Sequence, residues 1–216
     1  MKYRLAIFDM DGTLLNTLDD IYVCYLRSLR NTGIPDITKE QLRRYVGYSI
    51  ETVMDNTMPK STTQEQKEAF LEDYRPYFAL HNNDTTREFP GMTDMLNRLR
   101  SKGILTAVVS NNSGPTVSAL CSRHFPGLFD IIVGAEGLRA KPAPDTINAV
   151  LERLGIDRRD SVFVGDGETD IMAGLNAGMD TVAVLWGYRD RDILEEAGAK
   201  IFARNREELE SIITSE

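Results

Sequence analysis

Cysteine is nearly absent, with Cys24 and Cys121 the two in 216 residues. They stand too far apart for a disulfide framework or a zinc site, and each sits in helix-like surroundings, so both read as buried free thiols. No uninterrupted apolar stretch approaches the roughly 20 residues of a membrane span, so no membrane association is expected. The opening MKYRLAIFDMDG turns acidic after a short apolar run and has no small-residue cleavage site. It is therefore expected to be neither a signal nor a transit peptide, which leaves the cytoplasm as the expected compartment. Positive charge is also in deficit: 25 basic against 33 acidic side chains leave a net charge of −8. That balance excludes a grip on nucleic acid by bulk charge. His81 and His124 lack partner spacing and take no role, and there are no internal repeats or low-complexity segments.

With 42% hydrophobic and 27% charged residues, the composition is that of an ordinary soluble globular protein. The length suits one large domain, or a core plus a small accessory unit. Residues 3–8 are β-leaning and end abruptly in Asp9-Met10-Asp11-Gly12-Thr13. From 18 to about 80 the spacing turns helical, as in Ile21, Cys24, Tyr25 and Leu29, with no good strand. Pro35, Gly47 and Pro59 punctuate that stretch, and Thr38 to Gln41 reads as a capping box opening one helix. After Pro90-Gly91, helix and strand alternate: helices at 92–99, 116–123, 145–154 and 171–177, strands at 104–109, 131–133, 162–164 and 181–185. Continuous apolar strands alternating with helices imply a parallel sheet covered on both faces. The expected architecture is a doubly wound, Rossmann-like α/β core at 1–15 and 85–216, with a small all-helical unit inserted at 16–84.

In such sheets the ligand crevice lies beyond the carboxyl ends of the strands. Polar residues follow several strand ends here: Asp9 and Asp11, then Ser110 and Asn111, then Lys141 before Pro142, then Asp166 and Asp170 within Gly-Asp-Gly-Glu-Thr-Asp. Carboxylates converging in one crevice repel each other unless a hard cation lies among them, and oxygen ligands with retained waters suit magnesium. Magnesium is the expected ion, held by Asp9, Asp11 and Asp166, with Asp170 supporting. Lys141, the Ser110 hydroxyl and turn amides would cradle phosphate oxygens, with Asn111 beside them. Asp9 is the expected nucleophile, forming an aspartyl-phosphate. Asp11 would protonate the leaving alkoxide and later deprotonate water, given a pKa raised by acidic neighbours or hydrogen bonds. Asp166 and Asp170 could alternatively cap the following helix. Glu168 and Asn112 lie beside these positions and are expected to face solvent.

Asp-x-Asp-Gly-Thr, the later Ser-Asn, the Lys-Pro and the final Gly-Asp-x-x-x-Asp resemble, in order and spacing over the whole chain, the four motifs of haloacid-dehalogenase-superfamily phosphatases. The resemblance implies the same roles for Asp9, Asp11, Ser110, Lys141, Asp166 and Asp170. The helical insertion resembles the mobile cap of the subclass that contains phosphoglycolate phosphatases, β-phosphoglucomutases and bacterial pyrophosphatases; the last of these share the Asn16-Thr17 pair. Gly47, Tyr48 and Ser49 then fall on the cap loop that faces substrate. Mutase relatives tend to carry a basic residue where Ile50 stands, phosphonatases use a cap lysine that the stretch between Lys39 and Lys60 lacks, and dehalogenases usually lack the acid at Asp11. The expected activity is magnesium-dependent hydrolysis of a small phosphorylated metabolite, phosphoglycolate first and pyrophosphate second, with no obligate protein partner evident. A signalling receiver is the alternative from another class, since receivers also combine a doubly wound fold, an acidic magnesium pocket and a lysine.

Overall fold

The computed structural model describes residues 2–215. In chain order the elements begin with β1 (Leu5–Phe8), β2 (Leu15–Asn16), α1 (Leu18–Asn31), α2 (Lys39–Arg43), α3 (Ile50–Thr57), α4 (Gln64–His81) and β3 (Arg87–Glu88). They continue with α5 (Met92–Ser101), β4 (Leu105–Val109), α6 (Gly114–His124), β5 (Ile131–Val133) and α7 (Asp145–Leu154). The last are β6 (Ser161–Gly165), α8 (Glu168–Asn176), β7 (Asp180–Val184), α9 (Arg191–Glu196), β8 (Ile201–Ala203) and α10 (Arg206–Thr214).

Strand β1 is buried along its whole length. Its Ala6 and Phe8 join Val108, Val162 and Val164 in one apolar cluster, while Leu5 and Ile7 join Ala107, Val109 and Phe163 in another. Successive strand side chains point to opposite faces, so an apolar run without polar positions fits only a strand covered on both sides. Each buried Leu, Ile or Phe contributes roughly 1.5–3 kcal/mol. The sheet order is β5-β4-β1-β6-β7-β8, parallel throughout. The chain moves outward from β1 through β4 to β5 and then returns to β6 on the other side of β1. That reversal sets the carboxyl ends of β1 and β6 side by side and opens the crevice there.

Helices α1 to α4 have their own apolar cluster, including Tyr25, Leu29, Leu42, Phe70 and Tyr74. The capping box at Thr38 forms with Gln41 as the spacing predicts. The two chain crossings into this unit are tied. β2 and β3 pair antiparallel through Leu15 with Glu88 and Asn16 with Arg87. The buried Asp20 carboxylate accepts hydrogen bonds of 2.6–3.0 Å from the amides and hydroxyls of Thr85 and Thr86.

The structure extends the expected series, which ended with the strand at 181–185, by α9, β8 and α10 and by the two-residue strands β2 and β3. β8 lies at the sheet edge with Ile201 and Phe202 half-buried, and three residues are too few to show a period. Among the described residues, no helix is long and apolar enough to cross a membrane.

Candidate active site

The turn after β1 is shaped by Gly12, whose φ of +95° lies in the left-handed region that favours glycine. A Cβ there would also come within 2.3 Å of the Asp166 carboxylate, and one at Gly187 would come within 2.2 Å of the Asp166 Cβ. Asp166 is therefore clamped between two backbones that only glycine allows so close. The Thr13 hydroxyl donates to its Oδ1 at 2.9 Å and the Tyr188 N–H to its Oδ2 at 2.7 Å.

Asp9 is buried at the end of β1. Lys141 Nζ, with a side chain 0% exposed, donates to Asp9 Oδ1 and, at 2.7 Å, to Asp170 Oδ1. Asp9 Oδ2 is buried and has no hydrogen-bond partner among the described residues. Carboxylate oxygens of Asp9, Asp166 and Asp170 lie within 4.8 Å of one another. A buried, unpartnered carboxylate oxygen beside two further carboxylates is costly unless a cation joins them, and an all-oxygen donor set of this kind fits magnesium. Burial, then the Asp170 charge, push Asp9 well above the usual carboxylate range against the opposing pull of Lys141. The same two causes, in the same order, push Asp166 up to about 7. Burial disfavours the charge on Lys141, but Asp170 and Asp9 outweigh it and raise its pKa.

Asp170 caps the following helix, one of the two roles considered for it, and also holds Lys141. Its Oδ2 accepts the Gly167 N–H at 2.9 Å at the start of α8 while its Oδ1 takes Lys141. Asp11 is placed differently from the expected ligand set. Its carboxylate turns to the Thr17 hydroxyl and the Asn112 amide, both at 2.7 Å, and lies 3.5 Å from the Ser110 hydroxyl, so Asp170 rather than Asp11 completes the carboxylate cluster. Burial is the chief cause of the raised Asp11 pKa, not the acidic neighbours or hydrogen bonds the sequence suggests; the Thr17 bond, the Lys141 charge and the Asn112 and Ser110 bonds all oppose it.

Asn111 has a committed side chain. It donates to the Gly47 carbonyl at 2.8 Å and the Lys141 carbonyl at 3.1 Å and accepts the Lys141 N–H at 2.7 Å, so it sets the Lys141 backbone and seats the helical unit. Ser110 Oγ accepts the Asn112 N–H at 3.1 Å. The expectation that Asn112 and Glu168 face solvent is overturned: both are half-buried, Asn112 on Asp11 and Glu168 between Tyr48 and Arg189. The reason is the Asp11 carboxylate for Asn112 and crowding where α8 meets the α2–α3 loop for Glu168, and no local pattern encodes either.

The buried Arg189 donates to Glu168 at 2.6 Å and to the carbonyls of Arg43 and Val46 at 2.7 and 2.9 Å. Tyr48 donates to Glu168 at 2.9 Å; burial, then that bond, push its hydroxyl up to about 12. Gly47 has a φ of +99°, and Ser49 caps α3 by accepting the Thr52 N–H at 3.3 Å. The Tyr188 hydroxyl accepts the amides of Thr17 and Leu18 at 2.8 and 3.0 Å and donates to Asn16 at 3.2 Å. Tyr188 and Arg189 went unnoticed in the sequence, although inspection just past the strand at 181–185 would have reached them. Cys24 and Cys121 are buried as expected, and burial pushes each thiol up to about 12. His81 bonds Asp84 and His124 bonds Asn83, both apart from the crevice.

A doubly wound sheet carrying a buried lysine and a carboxylate cluster at its switch point defines an α/β enzyme suited to an anionic substrate and a hard cation. The profile of haloacid dehalogenase-like hydrolases matches residues 6–184, and the chain belongs to that family. It is 30% identical over 187 residues to a phosphoglycolate phosphatase of Aquifex aeolicus, covering 86% of each chain. It is also 30% identical to the pyrophosphatase PpaX of Bacillus cereus, covering 90% of this chain and 89% of that one. A crystal structure from Lactobacillus delbrueckii subsp. bulgaricus, provisionally described as a phosphoglycolate phosphatase, superposes with a TM-score of 0.92 at 36% identity over 100% of both chains.

Proposed function

We propose that the protein is a magnesium-dependent phosphomonoesterase working through an aspartyl-phosphate on Asp9. The observation that carries this reading is the buried, unpartnered Asp9 Oδ2, held at the sheet's switch point by Lys141 on the other oxygen. A carboxylate so fixed can meet phosphorus in line: its oxygen bonds to phosphorus as the ester P–O bond breaks. Asp11, whose hold on a proton is strengthened by burial, gives a proton to the departing alkoxide and then accepts one from the water that attacks the phosphoryl group, releasing inorganic phosphate and restoring Asp9. Lys141 and the amides beyond Ser110 steady the phosphoryl oxygens. Magnesium held by Asp9, Asp166 and Asp170 would offset the repulsion among those carboxylates and neutralise charge on the transferring group.

Residues 16–84 act in this reading as a mobile cap that closes over the crevice and excludes water, with Tyr48 and Gly47 meeting the core on closure. The natural substrate is a small phosphorylated metabolite of the cytoplasm, and the relatives supply phosphoglycolate and pyrophosphate as the first compounds to try. The test is phosphate release from acetyl phosphate and p-nitrophenyl phosphate with magnesium and after chelation, by the wild type and Asp9→Asn. Turnover by the wild type with magnesium alone supports the reading. A long-lived phosphorylated protein without turnover would instead favour a receiver.

A further inference from the structure

Asp9 and Asp11 open onto a cavity of about 550 Å³ that runs on into the helical unit. Its far wall is apolar, built from residues that include Ile21, Leu42, Val53, Tyr74 and Phe78. Tyr74 is the centre of a rigid stack, with ring centroids 5.4 Å from Phe70 and 5.2 Å from Phe78 and planes within 12° and 11° of parallel. Tyr25 meets it edge-on at 5.9 Å. The Tyr74 hydroxyl has no hydrogen-bond partner among the described residues, and the neutral polar lining residues, Ser110, Asn112 and Thr116 among them, belong to the core side of the cavity rather than to this wall.

Charge in the lining is lopsided. Among the described residues, the lining carboxylates are Asp9, Asp11, Glu51 and Glu136, and the one cationic lining residue is Arg75. Arg75 is 63% exposed and already paired with Glu51 at 3.2 Å, so it belongs to the rim. A carboxylate or second phosphate pushed past the phosphoryl position would be buried against aromatic rings and near like charges with no cation to pair with, which disfavours it. Glycolate and a second phosphate are also among the smallest leaving groups and would leave most of the aromatic wall unfilled. An apolar ring would gain from both the area and the stack.

We propose that the preferred substrate is a phosphomonoester whose leaving group is uncharged, apolar and of aryl size, seated against Tyr74 and Phe78. This inference rests on the phosphatase reading of the Asp9 site. The test compares kcat/KM for benzyl phosphate, phosphoglycolate and pyrophosphate, with acetyl phosphate as a generic phosphoryl donor. Benzyl phosphate and phosphoglycolate both release alkoxides, so leaving-group reactivity does not decide their ranking. The expected result is benzyl phosphate ahead of phosphoglycolate and pyrophosphate by at least about tenfold. In Ile50→Arg, which adds a cation to the cavity lining, the benzyl-to-glycolate ratio should shrink by at least about fivefold. Equal or better hydrolysis of phosphoglycolate or pyrophosphate, with acetyl phosphate cleaved normally, would overturn the substrate class while the phosphatase reading stands. No turnover of any compound, acetyl phosphate included, would overturn both. The wild-type ranking decides the matter if Ile50→Arg fails to fold.

Discussion

The sheet end and the helical unit face each other across one cavity, yet polar groups are managed in opposite ways on its two sides. At the carboxyl ends of β1 and β6, nearly every oxygen has an assigned donor: Thr13 and Tyr188 on Asp166, Gly167 and Lys141 on Asp170, Thr17 and Asn112 on Asp11. Among the described residues, the single carboxylate oxygen there without one is Asp9 Oδ2. Across the gap, the wall is a stack of rings and aliphatic side chains with few polar atoms to satisfy. Chemistry demands preorganised charge, which a rigid sheet end can hold; a leaving group of variable shape is met more cheaply by area than by fixed hydrogen bonds. On the proposed reading, the sheet end is built for the reaction and the helical unit for the choice of substrate.

The comparison breaks most visibly on the rigid side. Asp9→Asn keeps the size of the side chain and removes the nucleophile, so turnover should fall by at least about a thousandfold while the circular dichroism spectrum is retained. Near-normal turnover would end the covalent mechanism. Asp166→Ala should cost about a hundredfold at low magnesium, equivalent to about 3 kcal/mol of charge stabilisation, and recover partly as the metal is raised. Unchanged magnesium affinity by calorimetry would remove Asp166 from the metal site.

Effects on the boundary between the two sides should be smaller. Arg189→Ala deletes the bonds to the Arg43 and Val46 carbonyls and frees Glu168, loosening the contact between the core and the α2–α3 loop. KM should rise about tenfold, more than kcat falls, and hydrogen exchange should quicken over the α2–α3 loop. A lowered melting temperature with KM unchanged would make Arg189 a packing residue only.

The smallest effect is on stability, at Asp20. Burial there opposes the charge, but the hydroxyls and amides of Thr85 and Thr86 outweigh it and hold the carboxyl below its ordinary value. A folded-state pKa below the unfolded one means the stabilisation is fully present above the unfolded pKa of about 3.9 and is lost as the pH falls through the folded value. Asp20→Asn should therefore cost about 1–3 kcal/mol near neutral pH. Thermal melts from about pH 7 down to about pH 3 should show the gap to the wild type closing at the acid end. A constant gap would mean the charge of Asp20 is not what ties the second crossing.

Much of the sheet was legible because a covered parallel strand must be apolar at every position, as Leu5–Phe8 is, and because the polar residues after such strands have nowhere to go but the crevice. Asp9, Lys141, Asp166 and Asp170 were found that way, and the structure gathers them. β8 escapes the sequence because three residues, two of them half-buried, are too few to show a period. Glu168 and Asn112 were read as exposed because a polar residue on a turn looks the same in sequence whether it meets water or another element.

What the sequence determined by itself was therefore the doubly wound architecture, the helical insertion and the polar strand ends, all of which follow from local periodicity and the covering of both sheet faces. Only the tertiary structure decided that Asp11 turns to Thr17 and Asn112 while Asp170 joins Asp9 and Asp166, that Asn111 spends its amide on Lys141 and Gly47, and that Arg189 bridges to the α2–α3 loop. The physical reason is distance along the chain. Thr17 is only six residues from Asp11, but most of these partners lie tens to more than a hundred residues apart, and a carboxylate's choice among donors is settled by which of them packing brings within about 3 Å, information that no local pattern holds.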